Sequence, residues 1–183
     1  MRQFVPFRGS RLGPESIREV VFGVEDGLVQ NMTLIAGMVG AGVSDGVIVL
    51  AGIVNAVAGV LSMSMGTFLS SQAERDALLV AGRGAAVVRS PTRDATVMAG
   101  AYGVGALAPL VAFGLPVLGS SAEIVLAVII CGAGLFALGI LTARVSGRPS
   151  VRSGLALLTL ASAAGVAGYL IGAVARAVFD INV

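Results

Sequence analysis

Five runs of about 20 mostly apolar residues, the length of helix needed to cross a bilayer core about 30 Å thick, recur along this chain at about residues 17–41, 47–69, 95–115, 124–143 and 155–178. Such runs leave little choice of fold. In hydrocarbon every backbone N–H and C=O must be satisfied within the segment, which selects the α-helix. The separators "GAGVSDG", "GLPVLGSSAE" and "RVSGRPSVRSG" supply the Gly, Pro, Ser and charge that end helices, and residues 70–94 form a longer connection of the same kind. With 56% apolar and 12% charged residues over 183 positions, the chain has too little polar surface to cover a soluble globule. The expectation is an all-α membrane protein, with one five-helix domain over residues 17–178, a cytoplasmic arm over 1–16 and a short tail over 179–183. The arm is broken by two prolines and three arginines and lacks the apolar core of a secretory signal.

Arginine placement orients the helices. Arg2, Arg8, Arg11 and Arg18 precede the first, Arg75, Arg83, Arg89 and Arg93 lie between the second and third, and Arg144, Arg148 and Arg152 between the fourth and fifth. Of the 12 basic residues, all Arg, only Arg176 falls at the other ends, beside Asp45, Glu123 and Asp180. The positive-inside rule then puts the N-terminus in the cytoplasm and the C-terminus outside or in a lumen. Arg without Lys is a habit of GC-rich bacterial genomes, so a bacterial plasma membrane is expected ahead of a vacuolar one. Small residues four apart, Ala164, Gly168 and Gly172 in the fifth run and Gly52 and Ala56 in the second, predict close helix contacts, within one chain or between copies.

Chemistry is restricted by what is missing. Histidine is absent and Cys131 is the single cysteine, which removes the commonest transition-metal ligand, the usual general base and any internal disulfide. No GxxxxGK[ST], HExxH or CxxC pattern occurs, and no nucleophile and base pair is visible, so an enzyme is not expected. "GVGALAP" sits in an apolar run with no strand before it, so Pro109 and its glycines read as a kinked, thinned helix rather than a nucleotide loop.

What remains is polar residues inside apolar helices. The stretch "VFGVEDGLVQNMTLIAGMVGAG" carries Glu25 and Asp26 side by side. From Leu28 to Val43 a helix rises about 24 Å, short of the core thickness, so the first span is complete only if the two acids are drawn in by about a turn. Intramembrane carboxylates are costly and face cavities, paths or partners. Asp26, Gln30, Thr33 and Gly37 share one polar and small face, whereas Glu25 shares its stripe with Val29 and Met32 and reads as a cytoplasmic-end residue. The alternative is a pair of interfacial carboxylates solvated by headgroups or paired with Arg18. In the second run Met63, Thr67, Ser70 and Glu74 fall at the same spacing, lining up a thioether, hydroxyls and a carboxylate toward the cytoplasm. Sulfur with oxygen suits a borderline divalent ion such as ferrous iron better than Ca²⁺ or Mg²⁺, although a methionine on such a helix also serves as apolar filler.

These stretches resemble the vacuolar iron transporter family of five-helix membrane proteins. "VFGVEDGLVQNMTLIAGMVGAG" is similar to its first-helix signature, an Asp-Gly pair before a Gly- and Ala-rich run. "LSMSMGTFLSSQAERD" is similar to the end of its second helix, and "YGVGALAPLVAF" to its third. The resemblance implies a homodimer with a central path between subunits, which exports Fe²⁺, and Mn²⁺ or related ions, from the cytoplasm by proton antiport. It implies that Asp26 and Met63 line the path and that Glu74 lies at its cytoplasmic entrance; helix register adds Gln30, Thr33 and Thr67 to the path, and position adds Glu25 to the entrance. The metal is transported substrate, and no permanently bound cofactor is expected. Three departures stand out. The connection over residues 70–94 leaves no room for the family's cytoplasmic metal-gathering domain. Thr67 stands where an acid commonly follows the helix-2 glycine. Asn55 and Gly59 stand where another carboxylate is often found. A non-transporting dimeric scaffold or regulatory protein, and a transporter of another small cation, are the competing readings.

Overall fold

The computed structural model describes residues 14–82, 90–113, 120–147 and 149–179, and these are helical throughout apart from short turns. Six helices follow in order: α1 Pro14–Ala41, α2 Asp45–Val80, α3 Pro91–Leu107, α4 Leu110–Phe113, α5 Ser120–Ser146 and α6 Ser150–Phe179. Most of the expected N-terminal arm and the last four residues lie outside the described residues, as do Arg83, Arg89 and Arg148.

Three helices, Asp45–Val80, Ala122–Arg144 and Ser150–Phe179, are long and apolar enough to cross a membrane. Their outward surfaces are apolar over most of their length, with Leu50, Val54, Val57, Leu61 and Met65 on α2 and Leu160, Leu170, Ile171 and Val174 on α6 all exposed. A soluble monomer does not carry apolar faces of that extent, so the chain is an all-α integral membrane protein. Two of the five expected runs fall short of the same standard for identifiable reasons. Glu19, Glu25, Asp26, Gln30 and Asn31 interrupt α1. The third run is divided: α3 has 17 residues and stops before Pro109, after which the single turn α4 resumes. Proline cannot supply the N–H that would continue the ladder.

The other end of the second run differs in the opposite sense. Instead of stopping at Leu69, α2 continues to Val80. The segment "SSQAERDALLV" contains good helix formers and neither Gly nor Pro. Gly82, at φ 71°, then ends it with an N–H bond to the Leu79 carbonyl. Ser71 and Glu74 therefore belong to a helix rather than a loop. The buried Ser71 hydroxyl donates to Asp94 Oδ2 at 2.9 Å, fastening the end of α2 to the start of α3.

The helix α1 is the centre of the bundle and packs on α2, α3, α5 and α6. Its contacts are nearly backbone to backbone. A Cβ on Gly23 would lie 2.9 Å from the Tyr102 nitrogen, and a Cβ on Gly105 would meet the Val24 carbonyl. Further along, Gly168 abuts Thr33, and Gly172 abuts Gly37 so closely that a Cβ there would fall on the Gly37 carbonyl oxygen. The small residues of α6 and α2 thus pack within one chain: Gly52 holds Leu110, and Ala56 is buried with Tyr102 and Ala106.

Antiparallel succession brings the arginine-bearing ends together. The start of α1 meets the end of α5 and the start of α6 around Val21, Ser146 and Ser153, and it meets the start of α3 at Met98. Arg176 has a packing role at the opposite end, where its guanidinium lies against Gly42. Gly42, at φ 74°, closes α1 with N–H bonds from Gly42 to Val39 O (3.0 Å) and Val43 to Met38 O (3.1 Å). A cation beside the carbonyl end of a helix is favourably placed.

Candidate functional site

The polar residues of α1 between Glu25 and Thr33 divide between two surroundings. Asn31 is fully buried, and its Nδ2 donates to the carbonyls of Ala106 at 2.5 Å and Gly52 at 3.4 Å. Its Oδ1 accepts from Asn55 Nδ2 at 3.2 Å, Asn55 Oδ1 accepts from Gln30 Nε2 at 3.3 Å, and Gln30 Oε1 accepts from the Tyr102 hydroxyl at 2.5 Å. One chain of hydrogen bonds therefore runs from Tyr102 through Gln30 and Asn55 to Asn31, joining α1, α2 and α3. Each of the three amides uses donor and acceptor together, which a carboxylate cannot do. Tyr102 and Asn31 are enclosed, while Gln30 lies on the open side of the helices.

Glycine makes room for this network. A side chain at Gly59 would overlap the Tyr102 ring and hydroxyl, so the phenol from α3 occupies the space beside α2 that a residue at position 59 would otherwise fill. Met63, one turn further along α2, packs against the same Ala56, Tyr102 and Ala106 cluster. Asp26 is half-buried one turn before Gln30, and its neighbour Gly27 packs directly on the Tyr102 backbone. It has neither a hydrogen-bond nor an ion-pair partner among the described residues. Asp26, Gln30, Met63 and Tyr102 thus form one neighbourhood: an unclaimed carboxylate, an amide, a thioether and a phenol.

The rest of the expected set lies elsewhere. Thr33 donates to the Val29 carbonyl at 2.7 Å and packs on Gly168, and Gly37 packs on Gly172. Both belong to the α1–α6 contact: the stripe is continuous on α1, but α3 flanks its first half and α6 its second. Thr67 is half-exposed on α2, and Glu74 is exposed on the extension of that helix. Glu25 lines a cavity bounded by α1, α5 and α6, which Asp26 does not reach. Arg18 lies 3.8 Å from its buried neighbour Glu19 rather than beside Glu25 or Asp26. Among the described residues no three acidic or cysteine side chains converge to hold a metal.

Tyr102 is what sequence reading missed, because a single hydroxyl in "AYGVGAL" looks like ordinary apolar helix. The available signal was the pairing of a glycine at 59 with a lone tyrosine in the next helix. Its energetic test is a double-mutant cycle. Gly59→Ala alone overlaps the ring and should destabilise the protein by about 1–3 kcal/mol. In a Tyr102→Ala background the same change should cost at least about 1 kcal/mol less, read from denaturant melts in detergent. Asn31→Leu, which leaves the Asn55 amide and the Ala106 carbonyl without their partner, should cost about 1–2 kcal/mol in the same melts.

Comparison with known proteins gives a family match and several relatives. The model of the VIT family matches in two overlapping segments, residues 17–83 and 79–173. Vacuolar iron transporter 1 of Arabidopsis thaliana is 39% identical over 62 residues, covering 34% of this chain and 25% of the relative. Vacuolar iron transporter 1 of Tulipa gesneriana is 42% identical over 60 residues, 33% of this chain and 24% of the relative. Vacuolar iron transporter homolog 5 of Oryza sativa subsp. japonica is 32% identical over 106 residues, 54% and 51% respectively. The matched parts span from about a quarter to about half of these relatives' lengths. All three bear the names of transporters rather than enzymes, and of vacuolar ones, so the expectation of a bacterial plasma membrane finds no support in them.

Proposed function

We propose that this chain, which belongs to the VIT family, is a divalent metal transporter that carries Fe²⁺, and Mn²⁺ as a related ion, out of the cytoplasm along a path containing Asp26, Gln30 and Met63. The observation that carries this reading is the neighbourhood on the open side of α1 and α2. There Asp26 has no partner among the described residues, Gln30 is exposed, and Met63 stands against Tyr102. A carboxylate and an amide turned toward lipid would be costly, so this face belongs to a path or a partner. The names of the relatives, vacuolar iron transporters, supply the cargo. Carboxylate and amide oxygens with one thioether suit a borderline ion.

A single chain brings too few ligands together. Pairing two copies through this face would double the carboxylate, thioether and amide, complete a divalent ion's shell and bury the amides. The homodimer is therefore part of the proposal, as are five crossings of the membrane. In that topology α1 crosses despite its acids because they face the path, and α3 crosses together with α4. The arginine-bearing ends, gathered on one side, are cytoplasmic by the positive-inside rule. Glu74, on the α2 extension at that side, recruits cations to the mouth, and Thr67 stands between it and Met63. Proton antiport follows from competition, since a carboxylate cannot hold a proton and a metal ion on the same lone pairs.

Flux into proteoliposomes tests the whole reading. Fe²⁺ or Mn²⁺ outside the vesicles should quench a trapped metal indicator faster than in protein-free vesicles. The internal pH should move with the metal, and an imposed pH gradient should change the rate. A metal flux equal to the protein-free leak would sink the proposal in favour of a scaffold role.

A further inference from the structure

We infer that Glu25, with the hydroxyls of Thr142, Ser146 and Ser153, forms a second cation site, separate from Asp26 and suited to a monovalent alkali cation that keeps part of its water shell. These residues line a cavity of about 220 Å³ between the start of α1, the end of α5 and the start of α6. The remaining walls are Val21, Gly139, Ala143, Ala156 and Leu157, with no basic side chain among them. Glu25 is half-buried and has neither a hydrogen-bond nor an ion-pair partner among the described residues. A carboxylate held in such a place without a countercharge calls for a cation.

The other groups present acceptors. The Thr142 hydroxyl hydrogen is committed to the Leu138 carbonyl at 2.7 Å, so its oxygen lone pairs are what it offers the cavity. Helix α5 ends at Ser146, where the negative end of its dipole favours positive charge. The N–H of Ser153, in the first turn of α6, is bonded to the Pro149 carbonyl at 3.2 Å and does not compete as a donor. An all-oxygen set selects hard cations.

Charge and size narrow the class. One carboxylate neutralises one positive charge; a divalent ion would leave net charge in a largely apolar cavity. The volume admits several waters, more than a stripped ion needs, so the ion retains some hydration. Asp26, its neighbour in sequence, does not line this cavity. Occupancy of this site consequently does not depend on the transport reading.

The test uses the purified full chain in detergent, melted across a Na⁺ series balanced with choline to constant ionic strength, and a parallel K⁺ series. The wild type should show a saturable rise in Tm with Na⁺ or K⁺. Glu25→Gln should move the midpoint of that rise at least about tenfold higher, and Thr142→Val and Ser153→Ala should each weaken it. Asp26→Asn, which removes only a neighbouring like charge, should move the midpoint far less than Glu25→Gln even if it stops metal flux. Should Glu25→Gln fail to fold, the two hydroxyl variants carry the same test. A Tm that ignores Na⁺ and K⁺, an equal rise in choline, or a midpoint identical in wild type and all three variants would overturn the site.

Discussion

Asp26→Asn should bring Fe²⁺ flux in proteoliposomes down to the leak of protein-free vesicles while the fold survives. The change keeps the shape of the side chain and removes its charge. A divalent ion entering a low-dielectric path is stabilised chiefly by opposite charge, since neutral dipoles do not offset its lost hydration alone. Asp26 is the acid placed beside Tyr102, Gln30 and Met63 without a partner among the described residues, so removing its charge leaves only neutral donors in that neighbourhood. The same lack of a partner predicts little structural cost, within about 0.5 kcal/mol. Two measurements therefore separate function from folding: flux by a trapped indicator, and a denaturant melt of the same preparation. Asp26→Glu should restore part of the flux by restoring the charge. Wild-type flux in Asp26→Asn would remove the carboxylate from the path.

The largest effect on stability is expected at Gly172. A Cβ there would overlap the Gly37 carbonyl oxygen, a backbone atom that no rotamer change can move aside. Gly172→Val must separate α6 from α1, loosening the contacts at Gly168 with Thr33 and at Gly40 with Tyr169 along the same seam. Overpacking of this kind should cost on the order of 3 kcal/mol or more, with loss of a single species in size-exclusion profiles. Gly165 provides the control on the same helix, because a Cβ there meets nothing within 4 Å. Gly165→Ala should change stability by less than about 0.5 kcal/mol. Equal melts for Gly172→Val and Gly165→Ala would show that the α1–α6 seam is not closed in the folded protein.

Legibility varied along the chain according to how local the cause was. The ends of α1, α5 and α6 lie within a few residues of where Gly, Pro, Ser and charge predicted them, because capping and hydropathy act over a turn or two. The break at Pro109 was equally readable. The continuation of α2 to Val80 was harder to see, since the hydropathy signal stops at Leu69 while the helical propensity of "SSQAERDALLV" does not. For the site, the direction in which each acid turns was only half visible. Register separated Asp26 from Glu25, yet it also grouped Asp26 with Thr33 and Gly37, which helix packing assigns to α6.

The sequence by itself determined the solvent and the secondary structure. Apolar runs, absent histidine and grouped arginines are properties of composition and spacing, and the bilayer reads them one segment at a time. Tertiary structure alone decided which polar groups meet. Tyr102, Gln30, Asn55 and Asn31 lie on three different helices, up to 72 residues apart for the Tyr102–Gln30 bond. They come together only because Gly23, Gly27 and Gly105 let α1 and α3 approach closely and Gly59 leaves space for the phenol. Helical periodicity fixes the azimuth of a residue on its own helix; which neighbour occupies that azimuth is set by how closely the backbones can approach.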